Sequence, residues 1–177
     1  MTTLILDACV ALNLAATGRP TDILATLTPR FAMARQAAEE TLYIETITAG
    51  VITQEVVDPH QWVAEDLLHI LELESAETQQ FVTLAAEIDD GEAATLAIAR
   101  MRGLQVATDD RKARRVAQRL DLPEPVRTSQ LLQDYCTAAN LPKSEVARVL
   151  RATEHRARFR PPANDPLHPW WTKALNG

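Results

Sequence analysis

The sequence predicts an α/β fold in which a twisted parallel sheet of four to five strands lies between two layers of helices. Short apolar runs alternate with segments of helical periodicity, which is the pattern of a doubly wound sheet. Two of these runs, 2–6 and 104–108, end directly at Asp7 and Asp109, and a helical segment follows each aspartate. A chain of 177 residues is long enough to bury the core of one such domain.

Hydrophobic periodicity divides the first ninety residues into alternating strands and helices. Pro20 opens a helix, and Pro29 ends it. The predicted order is a strand at 2–6, helices at 8–16 and 20–27, a strand at 31–34, helical spacing over 35–50, a segment at 51–59 that is either extended or irregular, a helix at 59–70, a strand at 71–73 and a helix at 76–87 capped by Ser75.

The stretch 89–115 organises the second half of the chain. Acidic residues open a helix at 92–101, and Gly103 is placed to end that helix in a left-handed turn. Beyond it, the predicted order is a strand at 104–108, a basic helix at 111–119, a strand at 126–128, helices at 129–139 and 145–155 and an irregular Pro-rich tail. We expect residues 1–140 to form the α/β domain and residues 141–177 to form a C-terminal helical arm and tail packed on it.

The composition indicates a cytoplasmic globular protein. Cys9 and Cys136 stand far apart in apolar surroundings, so we expect two reduced, packed thiols and no disulfide. The N-terminus has no basic region and carries Asp7, which argues against a signal peptide. No apolar run reaches the length of a membrane span, so no membrane association is predicted.

Charge is distributed unevenly along the chain. Residues 1–99 carry three basic and sixteen acidic residues, whereas residues 100–160 carry fourteen basic and seven acidic residues. The overall charge of −6 argues against a nucleic-acid-binding protein. The division into an acidic half and a basic half makes nucleic-acid binding a better hypothesis. The alternative is that the basic helices are solvated faces, and charge alone favours that interpretation.

The acidic residues at strand ends and helix starts are the best candidates for chemistry. Glycine-rich phosphate loops and the nucleophile elbow of α/β hydrolases are absent from the sequence. Several carboxylates brought together at the carboxyl edge of a sheet would repel one another unless a cation held them. Oxygen ligands suit Mg²⁺ or Mn²⁺. The alternative is that each aspartate only caps the helix that follows it.

Four segments together resemble the PIN-domain family, which includes the VapC-type ribonuclease toxins. They are LILDACVAL, AAEETLY, DDGEAATLAIA and VATDDRKARRVA, in that order, within residues 2–135. The resemblance implies that the metal ligands and catalytic acids are Asp7, Glu40, Glu92 and Asp109, with Glu39 or Glu45 as less favoured choices for the second position. It also implies that Asp90 and Asp110 can add or orient a ligand. Cys9 departs from the family pattern, in which a Ser or Thr often stands two residues after the first aspartate.

The resemblance implies an endoribonuclease that uses Mg²⁺ or Mn²⁺ to hydrolyse RNA, leaving a 3′-hydroxyl and a 5′-phosphate. Basic residues just beyond Asp109 are candidates for contacts to RNA phosphates, and the alternative is a solvated helix face. They are Arg111, Lys112, Arg114 and Arg115. The resemblance further implies an antitoxin protein as partner and a homodimer. Two other hypotheses stay open: a degenerate PIN-like module that binds nucleic acid or protein, and a phosphatase, which the absence of Asp-x-Asp after the first strand disfavours.

Overall fold

A computed structural model describes residues 2–40, 42–48 and 51–176 of the chain. This part of the chain contains six strands and ten helices. The strands are β1 (Thr3–Leu6), β2 (Arg30–Ala34), β3 (Leu42–Thr48), β4 (Val51–Val57), β5 (Leu68–Leu71) and β6 (Gln105–Ala107). The helices are α1 (Ala8–Ala16), α2 (Pro20–Thr26), α3 (Arg35–Ala38), α4 (His60–Ala64), α5 (Ser75–Ala85), α6 (Asp90–Arg102), α7 (Arg111–Arg119), α8 (Thr128–Ala138), α9 (Lys143–Arg156) and α10 (His168–Asn176).

The chain forms two compact units, and the first contains the main sheet. It comprises Met1–Ala11, Thr28–Thr41 and Asp58–Arg127. Its four strands are all parallel, in the order β5-β2-β1-β6. Helices flank this sheet, so the predicted three-layer α/β/α fold with a parallel sheet is confirmed.

Helix α6 forms much of the core of the first unit. Its residues from Ala93 to Ala99 are all buried, and it packs against β1, β2 and β6 as well as α3 and α5. Four of these seven residues are alanines, which let the neighbouring backbones approach closely. Gly103 ends the helix with φ 65°, as the sequence predicted.

The predicted helix over 35–50 is wrong. Only Arg35–Ala38 is helical, and residues 42–48 and 51–57 form the antiparallel hairpin β3–β4. Of the residues in that prediction, Thr41, Ala49 and Gly50 lie outside the described residues. The segment is rich in β-branched residues, whose preference for extended backbone outweighs the helical spacing of its apolar positions.

Two further boundaries differ from the sequence prediction. The predicted helix at 59–70 ends at Ala64, where Asp66 takes a left-handed conformation with φ 59°, and Leu68 already pairs with β2. The predicted strand at 126–128 is a single bridge between Ala107 and Val126.

The second unit comprises Leu12–Leu27, Leu42–Val57 and Thr128–Gly177. In it α2 packs against α8, and α9 packs against β3 and α10. The predicted irregular tail contains the helix α10, and Trp171 is fully buried. Its indole Nε1 donates to Glu154 Oε1 at 2.8 Å, and its ring meets Phe159 edge to face.

None of the helices in the described ranges combines the length and the apolar character that crossing a membrane requires.

Candidate functional site

Asp7 lies at the carboxyl end of β1, in the centre of the sheet of the first unit. Because Leu6 pairs with Ala107 of β6, the residues that follow each strand, Asp7 and Thr108, are brought side by side. Asp7 is only 4% exposed. One carboxylate oxygen accepts the Ala8 N–H at 2.8 Å, and the other accepts the Thr108 hydroxyl at 2.7 Å. The aspartate is thus buried and held in a fixed orientation.

Cys9 contributes a third hydrogen bond to Asp7. Its thiol donates to Asp7 Oδ2 at 3.2 Å, the same oxygen that accepts the stronger Thr108 bond. Burial, and next the negative charge of Asp7, raise the pKa of the Cys9 thiol, so the thiol keeps its proton. The Cys9 thiol and the Thr108 hydroxyl thus both donate to the same oxygen of Asp7.

Glu40 approaches this edge of the sheet from the turn after α3. Helix α3 packs on the start of α6, where Gly91 allows a very close approach. A Cβ at Gly91 would lie 1.9 Å from Glu40 Oε1 and 3.1 Å from the Cα of Ala37. The missing side chain of Gly91 thus makes room for the Glu40 carboxylate.

The first turn of α6 carries three more acids. Asp89 caps the helix by accepting the Glu92 N–H at 2.8 Å. Asp90 occupies the first helical position, and Asp89, Asp90, Glu40 and Gly91 line one shared cleft. The partial positive charge of the helix N-terminus offsets part of this negative charge.

The electrostatic influence of these acids on one another shows that they form one cluster. Burial raises the pKa of Asp7, and the nearby charge of Asp89 raises it further. Burial, followed by the charges of Asp89 and Asp7, raises the pKa of Glu40 to about 7. Burial and the charges of its neighbours, Asp89 first, raise the pKa of Glu92 to about 8. Asp7, Glu40 and Glu92, which are distant in sequence, therefore share one region of strongly negative potential.

Asp109 and Asp110 follow Thr108 at the end of β6. Asp109 interacts with Cys9, through both its backbone and its charge. Asp110 caps α7: one carboxylate oxygen accepts the N–H groups of Lys112 and Ala113. The charge of Asp110 also raises the pKa of Glu92, so it contributes to the acidic cluster while serving as a cap.

The alternative choices for the second acid are engaged in other interactions, although Glu39 lines the same cleft as Glu40. Glu39 forms an ion pair with Arg35 at 3.0 Å. Glu45 lies in the hairpin of the second unit, where its carboxylate accepts the side-chain amide of Gln54 at 3.1 Å. The charge of Asp7 contributes to the raised pKa of Glu40, which places Glu40 close to the buried aspartate.

The acids are clustered but do not converge as ligands. Within residues 2–40, 42–48 and 51–176, no three Asp, Glu, His or Cys side chains are close enough together to hold one metal ion. The chemistry of the donors nevertheless fits a hard divalent cation, because the side chains offer carboxylate oxygens. Burial, and then mutual repulsion, raise their pKa values, and a cation would relieve both effects. Rotation of the longer side chains of Glu40 and Glu92 would be needed to bring oxygens onto a common ion.

Arg114, one of the four basic residues singled out in the sequence, is engaged within the first unit. Its guanidinium donates to the carbonyl oxygens of Thr108 at 2.9 Å and Pro125 at 2.8 Å, and it pairs with Glu124. Only 10% of the Arg114 side chain is exposed. Arg114 therefore links the end of β6 to the loop that follows α7.

The other three of these four basic residues lie at the surface of α7. Lys112 donates to the carbonyl oxygen of Glu87, whose carboxylate pairs with Arg119. Arg111 and Arg115 are exposed on the same helix. A nucleic-acid phosphate would therefore find Arg111 and Arg115 more accessible than Arg114.

Three residues of this site were not identified as site residues from the sequence. Asp89 has the largest charge effect on Glu40 and Glu92, Thr108 orients Asp7, and Gly91 makes room for Glu40. Asp89 could have been included from the sequence, because it directly precedes the acidic first turn of a predicted helix. The roles of Thr108 and Gly91 depend on the pairing of β1 with β6 and of α3 with α6, which the local sequence does not reveal.

Comparison with known proteins identifies the family. No curated protein and no solved structure matches the chain. A family model described as a PIN domain matches residues 3–155, which is most of the chain and includes every residue of the acidic cluster. PIN domains are generally nucleases and typically use divalent metals. The chain belongs to the PIN-domain family.

Proposed function

We propose that this PIN domain is an endoribonuclease that depends on Mg²⁺ or Mn²⁺ and acts on cytoplasmic RNA. The observation that carries the proposal is the placement of acids from separate elements at the carboxyl edge of the sheet: Asp7 is buried at the end of β1, Glu40 lies against Gly91, and Glu92 lies in the first turn of α6. Burial and the neighbouring negative charges raise the pKa of each of the three. A structural role alone would not require three acids from different elements to face one another, because such an arrangement is unfavourable without a cation.

The metal ligands in this proposal are Asp7, Glu40, Glu92 and Asp109, with Asp90 and Asp110 adding or orienting ligands. When bound, the ion supplies activation of a water molecule and neutralises charge on the phosphodiester. Asp7 is the fixed point of the set, since Ala8 and Thr108 hold both of its oxygens. Glu40 and Glu92 are the adaptable members, because their side chains are longer and only partly buried.

The protonation state of Glu40 and Glu92 depends on whether a cation is bound. With no cation present, pKa values of about 7 for Glu40 and about 8 for Glu92 leave both carboxyls partly protonated near neutral pH. A nearby divalent charge favours the carboxylate form and so lowers these pKa values. Arg111 and Arg115 are proposed to contact RNA phosphates beside the cluster, where they would position the backbone without reading its sequence.

The chemical identity of the products tests the proposed activity. We expect cleavage of an end-labelled RNA with Mn²⁺ or Mg²⁺, loss of cleavage with EDTA, and fragments that carry 5′-phosphate and 3′-hydroxyl ends. Fragments ending in 2′,3′-cyclic phosphate, formed with or without metal, would mean that the 2′-hydroxyl is the nucleophile. That result would contradict the proposal.

Gly91→Ala is expected to reduce cleavage by displacing Glu40. The added methyl group would overlap the Glu40 carboxylate and press on the α3 backbone at Ala37. We expect cleavage to fall on the order of 10- to 100-fold, the range typical of changes that misorient a ligand. Glu40→Gln should lower cleavage to a comparable extent.

Gly103→Ala is the matched control for this prediction. It also adds one methyl group to a glycine at an end of α6, but no other atom lies within 4 Å of the new position. Its left-handed backbone makes the substitution destabilising by about 1 kcal/mol, without an effect on the site. If Gly91→Ala and Glu40→Gln both retained wild-type cleavage per folded molecule, Glu40 would not belong to the site.

A second candidate function is a metal-free PIN-like module that binds RNA or protein. The observation that favours it is the absence, in the described ranges, of three side chains placed to hold an ion, together with the full use of both Asp7 oxygens by protein donors. RNA binding unaffected by EDTA, with no cleavage in Mn²⁺, would support this alternative.

The cellular role proposed here is that of a toxin in a toxin–antitoxin pair, which rests on the resemblance to VapC-type proteins. Induced expression should then arrest growth, and a neighbouring gene product should relieve the arrest. Normal growth of induced cells that contain active enzyme would count against the toxin role while leaving the nuclease proposal intact.

A further inference from the structure

The strand β4 has an exposed and apolar outer edge in the second unit. Six of its seven residues are exposed, and Val51, Ile52 and Val56 are each more than 60% exposed. Among the residues that the structure describes, β3 is the only strand that pairs with β4. The backbone groups on the other edge of β4 are therefore available for pairing with a further strand.

The two faces of the hairpin differ in character. One face is packed within the second unit at one end, where Ile44 and Val57 are buried and Glu55 pairs with Arg156 of α9, whereas Val51 and Thr53 on this face are exposed. The opposite face carries Val56 beside its cross-strand neighbour Tyr43, which is also exposed. Because side chains alternate along a strand, Ile52 and Gln54 lie on this same outer face.

The usual protections of an exposed strand edge are missing from β4. Edges of monomeric proteins often carry lysine, proline, a bulge or inward-facing charge, which discourage pairing with another chain. The strand reads VITQEVV, without lysine, proline or glycine, and it pairs with β3 in continuous register. Its single charge, Glu55, is engaged by Arg156 on the packed face. An edge of this kind is suited to adding a strand from a partner.

We propose that the partner is a second copy of this chain, with the two β4 strands paired antiparallel about a twofold axis at Gln54. In that register Ile52 of each copy stands opposite Val56 of the other on the outer face. On the packed side Thr53 stands opposite Glu55, so no like charges face each other. Moving the axis to Glu55 would oppose two glutamates, and moving it to Thr53 would oppose Ile52 to Gln54. The Gln54 axis alone among these three matches apolar to apolar residues.

The interface is small, which determines how the dimer should behave. One edge of seven residues on each copy is at the low end of the interface sizes that hold specific complexes together. We therefore expect a reversible dimer that dissociates on the order of micromolar concentrations. The product would be a four-stranded intermolecular sheet with the order β3-β4-β4-β3.

Sedimentation velocity of the full chain over a hundredfold concentration range tests this proposal. We expect the wild type to pass from monomer to dimer across that range. Ile52→Lys should raise the dissociation constant about 10-fold or more, because the change acts twice across the twofold axis. Val82→Lys is the matched control: Val82 is equally exposed, at 62%, but lies on α5 of the first unit, and its substitution should leave dimerisation unchanged.

A charge-swap experiment tests the register itself. Gln54→Glu and Gln54→Lys each place like charges across the twofold axis, so each variant alone should dimerise more weakly than the wild type. Mixing the two should restore dimerisation as a heterodimer, which native mass spectrometry identifies by its mass. Circular dichroism and melting curves establish that each variant is folded.

Two results would overturn the proposal. A wild type that stays monomeric throughout the concentration range would show that a second copy does not pair with β4. A dimer that Ile52→Lys does not weaken, or one that mixing the Gln54 variants does not restore, would place the interface elsewhere.

Discussion

Asp7→Asn is expected to abolish metal-dependent RNA cleavage while leaving the protein folded. Asparagine keeps an oxygen for the Ala8 N–H, and its amide can donate to the Thr108 hydroxyl. Only the weak bond donated by the Cys9 thiol loses its acceptor. The substitution removes the carboxylate of the acidic cluster that is buried and held in a fixed orientation. We expect cleavage to fall by more than about 100-fold, which exceeds the usual effect of changing a residue behind the ligands.

The stability of Asp7→Asn distinguishes loss of chemistry from loss of fold. Because burial raises the pKa of Asp7, the folded protein disfavours its charged form, and a neutral isostere should be tolerated or stabilising. The melting temperature should therefore equal or exceed that of the wild type. Asp134→Asn, which changes an exposed aspartate on α8, provides a control for the loss of one charge. Cleavage by Asp7→Asn at the wild-type rate would point to a contaminating nuclease.

The stability of the metal-free protein is expected to fall as pH rises from about 5 to about 9. Folding raises the pKa of Glu40 to about 7 and that of Glu92 to about 8, from the ordinary glutamate value of 4.5. The folded state therefore binds more protons than the unfolded state between these values. The stabilising contribution is fully present below about pH 4.5 and is lost as pH rises through 7 and 8.

Melting curves in EDTA measure this dependence. Both glutamates are partly solvated, which weakens the effect, so we expect the melting temperature to fall by a few degrees, equivalent to roughly 1 kcal/mol for a domain of this size. Glu92→Gln should flatten the pH profile, whereas Glu65→Gln, an exposed control on the same unit, should not. Millimolar Mn²⁺ should restore stability at alkaline pH, because a ligand that binds only the folded state stabilises it. A profile that rises over this range would contradict the assigned electrostatics.

The sequence carried the information for the sheet and for most of the acids around it. The apolar runs before Asp7 and Asp109 correspond to β1 and β6, whose parallel pairing places the two aspartates at the same edge. That inference succeeded because buried parallel strands leave a strong local pattern and because the carboxyl ends of neighbouring strands must meet.

The parts that sequence reasoning missed depend on competition or on tertiary contact. The apolar positions over 35–50 have helical spacing, but the segment is also rich in β-branched residues, which favour extended backbone. The segment 42–48 accordingly forms the first strand of the hairpin β3–β4. Thr108 acquires its role only when β6 lies beside β1, and Gly91 acquires its role only when α3 packs on α6. The sequence does not distinguish Arg114 from its basic neighbours. In the structure its guanidinium donates to the carbonyl oxygens of Thr108 and Pro125, which its neighbours do not contact in this way.

The central claim is that acids from separate elements of the first unit form one cation site. Crystals grown with Mn²⁺ test it directly, because the anomalous scattering of manganese locates the ion independently of any assumed ligand. We predict a peak bounded by Asp7, Glu40, Glu92 and Asp109, with the Glu40 and Glu92 side chains rotated toward it. A well-occupied manganese peak elsewhere, with the cluster unaltered at the same Mn²⁺ concentration, would contradict the account.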